Sequence, residues 1–248
     1  MLIWIFLLGI IFSFIIPAVN FYLSEKNIAY IFYVLYILFS GVFVLFTFVK
    51  YNDLILFSSD FIFMHDYERI FNSVPAVFYY LFLWFYVAKS DNTKTYRRVL
   101  NSLLFLTVTL APIITLLDIY KFEFINEKLI TSIVGVIVLV LTFTLSILLI
   151  KDKNKAFKFI GFGFLTFSIL VIVSLTMFSM SNNNSYVENP HIFYLIGIIL
   201  ELTLLNYALN LSNLDYREKL ILENNQLEGL ALRSQMNPHF VHNSLNVV

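Results

Sequence analysis

The sequence predicts an all-α integral membrane protein, in which a seven-helix transmembrane bundle precedes a cytoplasmic helix or coiled coil. Of its 248 residues, 60% are hydrophobic and 13% are charged, whereas soluble domains are about half apolar and about a quarter charged. The mean hydropathy is +0.83. Seven apolar segments each approach the roughly 20 residues that a helix needs to cross a hydrocarbon core of about 30 Å.

These seven segments are predicted to be helices rather than strands. None alternates polar and apolar residues at every second position, which disfavours a membrane barrel. The first segment lacks a basic leading region and a small-residue cleavage site, so we expect it to be a retained span rather than a signal peptide. Residues 1–211 form the predicted bundle, with spans at 2–23, 28–49, 71–88, 99–117, 129–150, 157–180 and 191–211.

Basic residues orient the predicted spans. The connections after the first, third and fifth spans, together with Lys158 at the start of the sixth span, carry nine lysines and arginines, against four in the alternate connections. The positive-inside rule therefore places the N-terminus outside and the C-terminus in the cytoplasm of a multi-pass protein of the cell (inner or plasma) membrane. The 16 basic and 16 acidic residues cancel, so the net charge gives no argument for nucleic acid as a partner, and the absence of cysteine excludes disulfides and thiol catalysis.

The connection at 50–70 combines five aromatic residues with acidic ones and His65. It fits an interfacial segment whose rings lie at headgroup level, with a small ligand-facing cap as the alternative. His65 beside Asp66 and Glu68 is only a weak metal candidate because no ligand spacing recurs, and we expect no metal site in this chain.

Glu201 lies near the middle of the seventh predicted span. An acidic residue there costs roughly 2–3 kcal/mol on insertion scales unless it is protonated or paired, so it should face the bundle interior. Expected partners are Asn20, Asn101 or serine and threonine hydroxyls on other spans. Glu201 either fixes helix packing through a hydrogen bond or acts in signalling as a protonation- or ligand-sensitive hinge. Pro17, Pro75 and Pro112 are expected to kink their helices.

Residues 212–231 form a predicted cytoplasmic coiled-coil linker. Tyr216, Leu220, Leu227 and Leu230 follow approximate heptad spacing, interrupted by Glu223. This pattern favours a short parallel coiled coil and hence a homodimer, while an ordinary amphipathic helix remains the alternative.

The stretch at 232–248 contains a histidine in a dense polar motif, N-P-H-F-V-H-N-S-L-N at 237–246. A neutral imidazole at His239 suits attack on a phosphoryl group, since its ordinary pKa near 6.5 leaves a nitrogen lone pair available at neutral pH. Asn243, four residues later, would share a helical face with His239 and could orient the ring or contact the phosphoryl group. His242 lacks a third ligand for a metal site.

This motif closely resembles the phosphoacceptor box of bacterial sensor histidine kinases of the internal-region, or autolysin-sensor, type. The resemblance implies that His239 is the phosphoacceptor, that 232–248 begin the dimerisation and phosphoacceptor domain, and that a response regulator is the partner. It also implies ATP and Mg²⁺ as cofactors of a kinase domain, although this chain itself is expected to bind no cofactor. Because nucleotide-binding loops are missing, we expect the sequence to be a fragment that ends within the box and needs that domain for enzymatic activity.

A second, more diffuse resemblance covers about residues 1–211. The segments at 20–36 and 196–211, with the glutamate at 201, are similar to the bacterial seven-transmembrane receptors with diverse intracellular signalling modules. Together the two resemblances imply a membrane sensor of a two-component phosphorelay that receives an unknown ligand and relays the signal through a cytoplasmic signalling helix. The alternatives are a seven-helix transporter or channel and a non-enzymatic receptor that acts through a partner.

Overall fold

The computed structural model describes residues 2–51, 68–90, 92–120, 127–181 and 191–235, and every regular element within them is helical. The predicted all-α membrane fold is therefore confirmed. The chain divides into two compact units, Met1–Leu209 and Asn210–Val248. The α-helices are α1 (Leu2–Ser13), α2 (Ile15–Glu25), α3 (Ala29–Tyr51), α4 (Glu68–Tyr86), α5 (Thr93–Phe105), α6 (Ala111–Tyr120), α7 (Glu127–Ile150), α8 (Lys155–Ser181) and α9 (His191–Gln235).

Six helical stretches in the described residues are long and apolar enough to cross a membrane, and the apolar part of α4, Ser73–Tyr86, is shorter. Large apolar side chains such as Phe6, Phe105 and Val136 are more than half exposed, as expected of surfaces that face lipid. The six stretches are Ile5–Glu25, Ala29–Thr47, Thr93–Leu116, Ile133–Ile150, Lys155–Ser174 and Ile192–Leu232.

Two of these stretches are interrupted where proline predicts it. α1 ends at Ser13, which is the residue whose carbonyl the ring of Pro17 would strike in a continuous helix. A π-helical turn at Leu106–Leu110 separates α5 from α6, and Pro112 is the second residue after it. Because proline has no backbone N–H to donate to the preceding turn, such local widening is the expected adjustment.

Backbone and side-chain caps define three helix ends. α2 ends at Glu25 because Lys26 adopts the left-handed conformation, with φ of 53°, and its N–H bonds to the carbonyl of Tyr22. The Oδ1 atom of Asn27 accepts the N–H of Ala29 at 2.9 Å at the start of α3. Asn154 accepts the N–H of Ala156 at 2.8 Å at the start of α8.

Glycines allow the first part of α9 to approach α8 closely. A Cβ atom added at Gly197 would lie 3.3 Å from Cβ of Leu170, and one added at Gly163 would lie 3.3 Å from Cβ of Leu204. Small residues at such positions are typical of membrane helix interfaces, where close packing replaces the hydrophobic effect as the driving force. This contact positions the part of α9 that carries Glu201.

Candidate functional site: a buried glutamate among tyrosines

Glu201 lies in the interior of the helical bundle, with only 1% of its surface exposed. This confirms the expectation that an acidic residue at this depth faces inward. The hydroxyl of Tyr36 on α3 donates a hydrogen bond of 2.5 Å to Oε2 of Glu201 on α9. The partner is therefore a tyrosine, and the expectation of Asn20 or Asn101 was wrong.

Neither asparagine is the partner of Glu201. Asn101 accepts a hydrogen bond of 3.0 Å from Nε1 of Trp84, and Asn20 is exposed on α2. An indole ring carries one N–H donor, which needs an acceptor from another residue. Asn101 provides that acceptor, so the N–H of Trp84 does not face the apolar phase without a hydrogen bond.

Tyrosine rings surround the carboxyl group of Glu201. The rings of Tyr36 and Tyr79 lie 5.0 Å apart between centroids, and Tyr79 packs against Phe164 at 5.1 Å. Tyr33, Tyr36, Tyr79, Tyr80 and Tyr194 all lie within electrostatic range of the Glu201 carboxyl.

Three buried polar atoms of this cluster make no hydrogen bond of ordinary geometry within the described residues. They are Oε1 of Glu201 and the hydroxyls of Tyr33 and Tyr79, and the Tyr79 hydroxyl lies close to the Glu201 carboxyl group. A buried polar atom that makes no hydrogen bond costs about 1–3 kcal/mol, and more when it is charged. A ligand that forms hydrogen bonds with these atoms would therefore gain binding energy in this cluster.

A cavity of about 350 Å³ opens beside these residues, and Glu201, Tyr36 and Tyr79 are part of its wall. This volume lies in the range of pockets that bind small molecules. None of the lining residues is basic, and Glu201 is the sole acidic one among them. Other polar or aromatic lining residues are Ser40, Ser73, Tyr80, Thr107, Phe164, Phe167 and Tyr194.

Sequence reasoning missed the tyrosines of this site. Tyr33, Tyr36 and Ser40 follow one another at intervals of three and four residues in α3, which places them on one helical face. That stripe of hydroxyl-bearing residues was the available signal. It is ambiguous because tyrosine is also common at membrane interfaces, where it contacts headgroups.

A second polar cluster joins the turn before α5 to the turn before α8. Oδ2 of Asp152 accepts hydrogen bonds from the hydroxyls of Tyr96 at 2.6 Å and Ser90 at 3.0 Å. Burial alone would raise the pKa of the Asp152 carboxyl, but these bonds and those from the backbone N–H groups of Asn154 and Lys153 outweigh it and lower that pKa. Asp152 therefore fixes these turns as a charged acceptor.

The remaining predicted site residues lie outside the described residues. His239 and Asn243 fall in 236–248, and His65 falls in 52–67. The expectation that His65 forms no metal site therefore stays a prediction. Within the parts of the chain that the structure does describe, no group of three or more histidine, aspartate, glutamate or cysteine residues is placed to hold a metal.

Residues 1–210 match the family model described as 7TM diverse intracellular signalling. The chain belongs to this family. Comparison with curated proteins gave no match, and neither did comparison with solved structures.

Membership of the 7TM diverse intracellular signalling family makes the matched region a membrane sensor module of signalling proteins. Glu201, its tyrosine partners and the cavity all lie within that region. The several apolar helices are those of a multi-pass membrane protein. The candidate site is thus a largely apolar cavity, with one buried acidic group in its wall, in the interior of the sensor module.

Proposed function

We propose that the protein is the membrane sensor of a two-component phosphorelay, in which the helical bundle receives a signal and His239 accepts a phosphoryl group. The observation that carries this proposal is the order of parts along the chain. A 7TM diverse intracellular signalling module at 1–210 is followed by the last part of α9 and then by the phosphoacceptor-like motif at 237–246.

The proposed chemistry is transfer of the γ-phosphoryl group of ATP to an imidazole nitrogen of His239. A nitrogen–phosphorus bond forms, the bond from the γ-phosphorus to the bridging oxygen breaks, and ADP leaves. A kinase domain holding ATP and Mg²⁺ supplies the phosphoryl group. Asn243 orients the imidazole or the phosphoryl group from the same helical face, and an aspartate of a response regulator then receives the group.

α9 is the proposed route of the signal. Glu201 and Tyr194 lie in its first part, within the bundle, and the same helix continues to Gln235. A shift of α9 that follows a change at Glu201 would therefore reach the segment just before His239. Such coupling requires the ligand to favour one arrangement of the helix over another.

The second compact unit also supports a homodimer as the active form. Leu220, Leu227 and Leu230 follow the heptad pattern, and each is at least 40% exposed in the single chain. Leucines at these positions are normally buried against a partner helix. A parallel dimer would place the two His239-containing segments side by side.

Phosphotransfer is tested on the gene expressed at its natural length in bacterial membranes. The membranes are incubated with ³²P-labelled ATP, with and without the ATP-binding domain of an internal-region histidine kinase. We expect acid-labile, base-stable labelling of the wild type and of His242→Ala, and none of His239→Ala. His242→Ala is the matched control because it removes the neighbouring imidazole. Labelling that survives in His239→Ala contradicts the assignment of the phosphoacceptor.

A further inference from the structure

We propose that the cavity beside Glu201 binds a small organic cation, such as a primary amine that carries an apolar group. The proposal goes beyond the proposed sensor function by assigning a ligand class to the bundle. It depends on the proposed sensor function in one respect, namely that the bound cation is the signal. Three features of the described residues carry it: an unpaired carboxylate oxygen, aromatic walls and the absence of any basic lining residue.

The carboxylate is the first feature. Glu201 is 1% exposed and lines the cavity, its Oε2 atom accepts a hydrogen bond from Tyr36, and the Tyr79 hydroxyl lies close to the same carboxyl group. Its Oε1 atom has no partner among the described residues. A neutral tyrosine hydroxyl does not compensate a buried negative charge, whereas an ammonium group with three N–H donors both compensates the charge and bonds to the remaining oxygen.

The aromatic walls are the second feature. Six aromatic residues line the cavity, including Tyr79, Tyr80 and Phe164. Tyr79 packs on Phe164 at 5.1 Å and Tyr80 on Phe164 at 6.3 Å between ring centroids. A cation within about 6 Å of a ring centroid is attracted to the aromatic face by roughly 0.5–2 kcal/mol. An acidic group within an aromatic cage favours an amine over an alcohol of the same shape.

The remainder of the cavity wall is apolar and predicts an apolar group on the ligand. Leucine, isoleucine and valine side chains complete the cavity, including Ile114, Val138 and Ile198. An anionic ligand is excluded because it would meet Glu201 with no basic residue among the lining side chains to offset the repulsion. The cavity thus fits a cationic head at Glu201 and an apolar body against the aliphatic wall.

The lining residues indicate the side of the membrane toward which the cavity extends. Val134 and Gly135 lie in the first half of α7, and Tyr194 and Ile198 lie near the start of α9. In the predicted orientation both helices enter the membrane from outside, so the cavity extends from the level of Glu201, near the middle of its span, toward the outer side of the bundle. A cation from the external medium is therefore the source that we propose.

The test measures binding to the full chain in lipid nanodiscs, with protein-free nanodiscs subtracted to remove partition into lipid. The probes are butylamine, 2-phenylethylamine and tryptamine, each compared with the alcohol in which a hydroxyl replaces the ammonium group. We expect saturable binding of at least one amine in the wild type, with the matching alcohol at least about tenfold weaker, a difference of about 1.4 kcal/mol.

Two variants locate the amine. Glu201→Gln should weaken amine binding at least about tenfold and leave alcohol binding unchanged, because it removes the charge but not the cavity. Glu25→Gln is the matched control, since Glu25 also accepts a tyrosine hydroxyl, from Tyr30 at 2.7 Å, but does not line the cavity. It should retain wild-type affinity for the amine.

Three results overturn the proposal: alcohols that bind as tightly as their amines, no saturable binding of any amine up to about 10 mM, or full amine affinity in Glu201→Gln. The comparison of amines with alcohols on the wild type is decisive even when Glu201→Gln does not fold. Because binding is measured without phosphotransfer, a failure here is separate from a failure of the His239 assignment.

Discussion

Tyr36 and Glu201 are 165 residues apart in the sequence, and the Tyr36 hydroxyl donates a hydrogen bond of 2.5 Å to the Glu201 carboxylate. The bond joins α3 to α9 in the interior of the bundle. Tyr36 is 5% exposed and Glu201 is 1% exposed, so the bond is shielded from the solvent outside the bundle. This contact therefore contributes both to the stability of the bundle and to the position of α9.

Replacement of Tyr36 by phenylalanine should lower the free energy of unfolding by about 1–3 kcal/mol. The variant keeps the ring and its packing against Tyr79, but it leaves the Glu201 carboxylate without its hydrogen-bond donor. Thermal unfolding of the detergent-solubilised protein measures the change. Tyr207→Phe serves as control, because Tyr207 is 49% exposed and its hydroxyl should matter little. Equal stability of the Tyr36→Phe variant and the wild type would refute the energetic role of this bond.

A pair of cysteines at Leu170 and Gly197 should form a disulfide that joins α8 to α9. The Cβ atom of Leu170 lies 3.3 Å from the position that a Cβ atom at Gly197 would take, which is close to the separation of about 3.5–4.5 Å found in disulfides. The natural sequence contains no cysteine, so no other thiol competes. A protease site inserted between residues 182 and 190 allows detection, since oxidised halves stay joined on a non-reducing gel.

The control for this cross-link is the pair Gly9→Cys and Gly197→Cys, which also flanks the inserted site. A Cβ atom at Gly9 would have no atom within 4 Å, so this pair should separate after cleavage. Joined halves in the control, or separate halves in the Leu170 pair, would mean that α8 and α9 do not pack as described.

The fold was largely predictable because its signals are local. A stretch of about 20 apolar residues is sufficient to indicate a membrane helix, and the prolines at 17 and 112 indicated the interruptions before Ile15 and Ala111. The form of the interruption at Leu106–Leu110 was not predictable, since a kink and a π-helical turn both relieve the missing N–H of Pro112.

The site was predictable only in part. The cost of a buried charge placed Glu201 in the interior, since that argument needs one residue and its depth. Its partner was not predictable, because Tyr36 is distant in sequence and nothing in a single sequence distinguishes an inward tyrosine from one at the membrane interface. The cavity requires the relative positions of several helices, which composition and spacing do not supply.

Asp152→Asn should lower the free energy of unfolding at neutral pH by about 1–3 kcal/mol. The carboxylate accepts hydrogen bonds from Tyr96 and Ser90 at 2.6 and 3.0 Å, and an amide accepts them less strongly because it carries no charge. Unfolding in detergent at pH 7 measures the difference. Asp215→Asn is the control, because Asp215 is exposed on α9, and it should leave stability unchanged.

The difference in unfolding free energy between the wild type and Asp152→Asn should depend on pH. The pKa of Asp152 in the folded protein is below its ordinary value of 3.8. The charged form is thus favoured by folding, so its stabilisation is complete above the ordinary pKa and is lost as the pH falls through the lowered one. The stability gap between wild type and Asp152→Asn should be constant from neutral pH to about pH 5 and should shrink below about pH 4. A gap that widened on acidification would contradict the lowered pKa.

The proposed dimer depends on leucines that occupy inner heptad positions of α9. With Leu220 and Leu227 at equivalent positions seven residues apart, Leu230 falls at the other inner position, whereas Leu222 and Leu232 fall on the outside. All five are at least 40% exposed in the single chain, so exposure alone does not distinguish them. The double variant Leu227→Ser, Leu230→Ser should therefore lower the dimer fraction, because it removes two apolar contacts from the interface.

The matched control is Leu222→Ser, Leu232→Ser, which also removes two leucine side chains, but from outer positions of the same helix. It should leave the dimer fraction unchanged, since those positions do not face the partner in a coiled coil. Single-molecule subunit counting in nanodiscs, at low protein density, gives the dimer fraction of each variant. Equal losses in the two double variants would indicate general apolar association instead of a heptad interface, and no loss in either would place the dimer contact outside this segment.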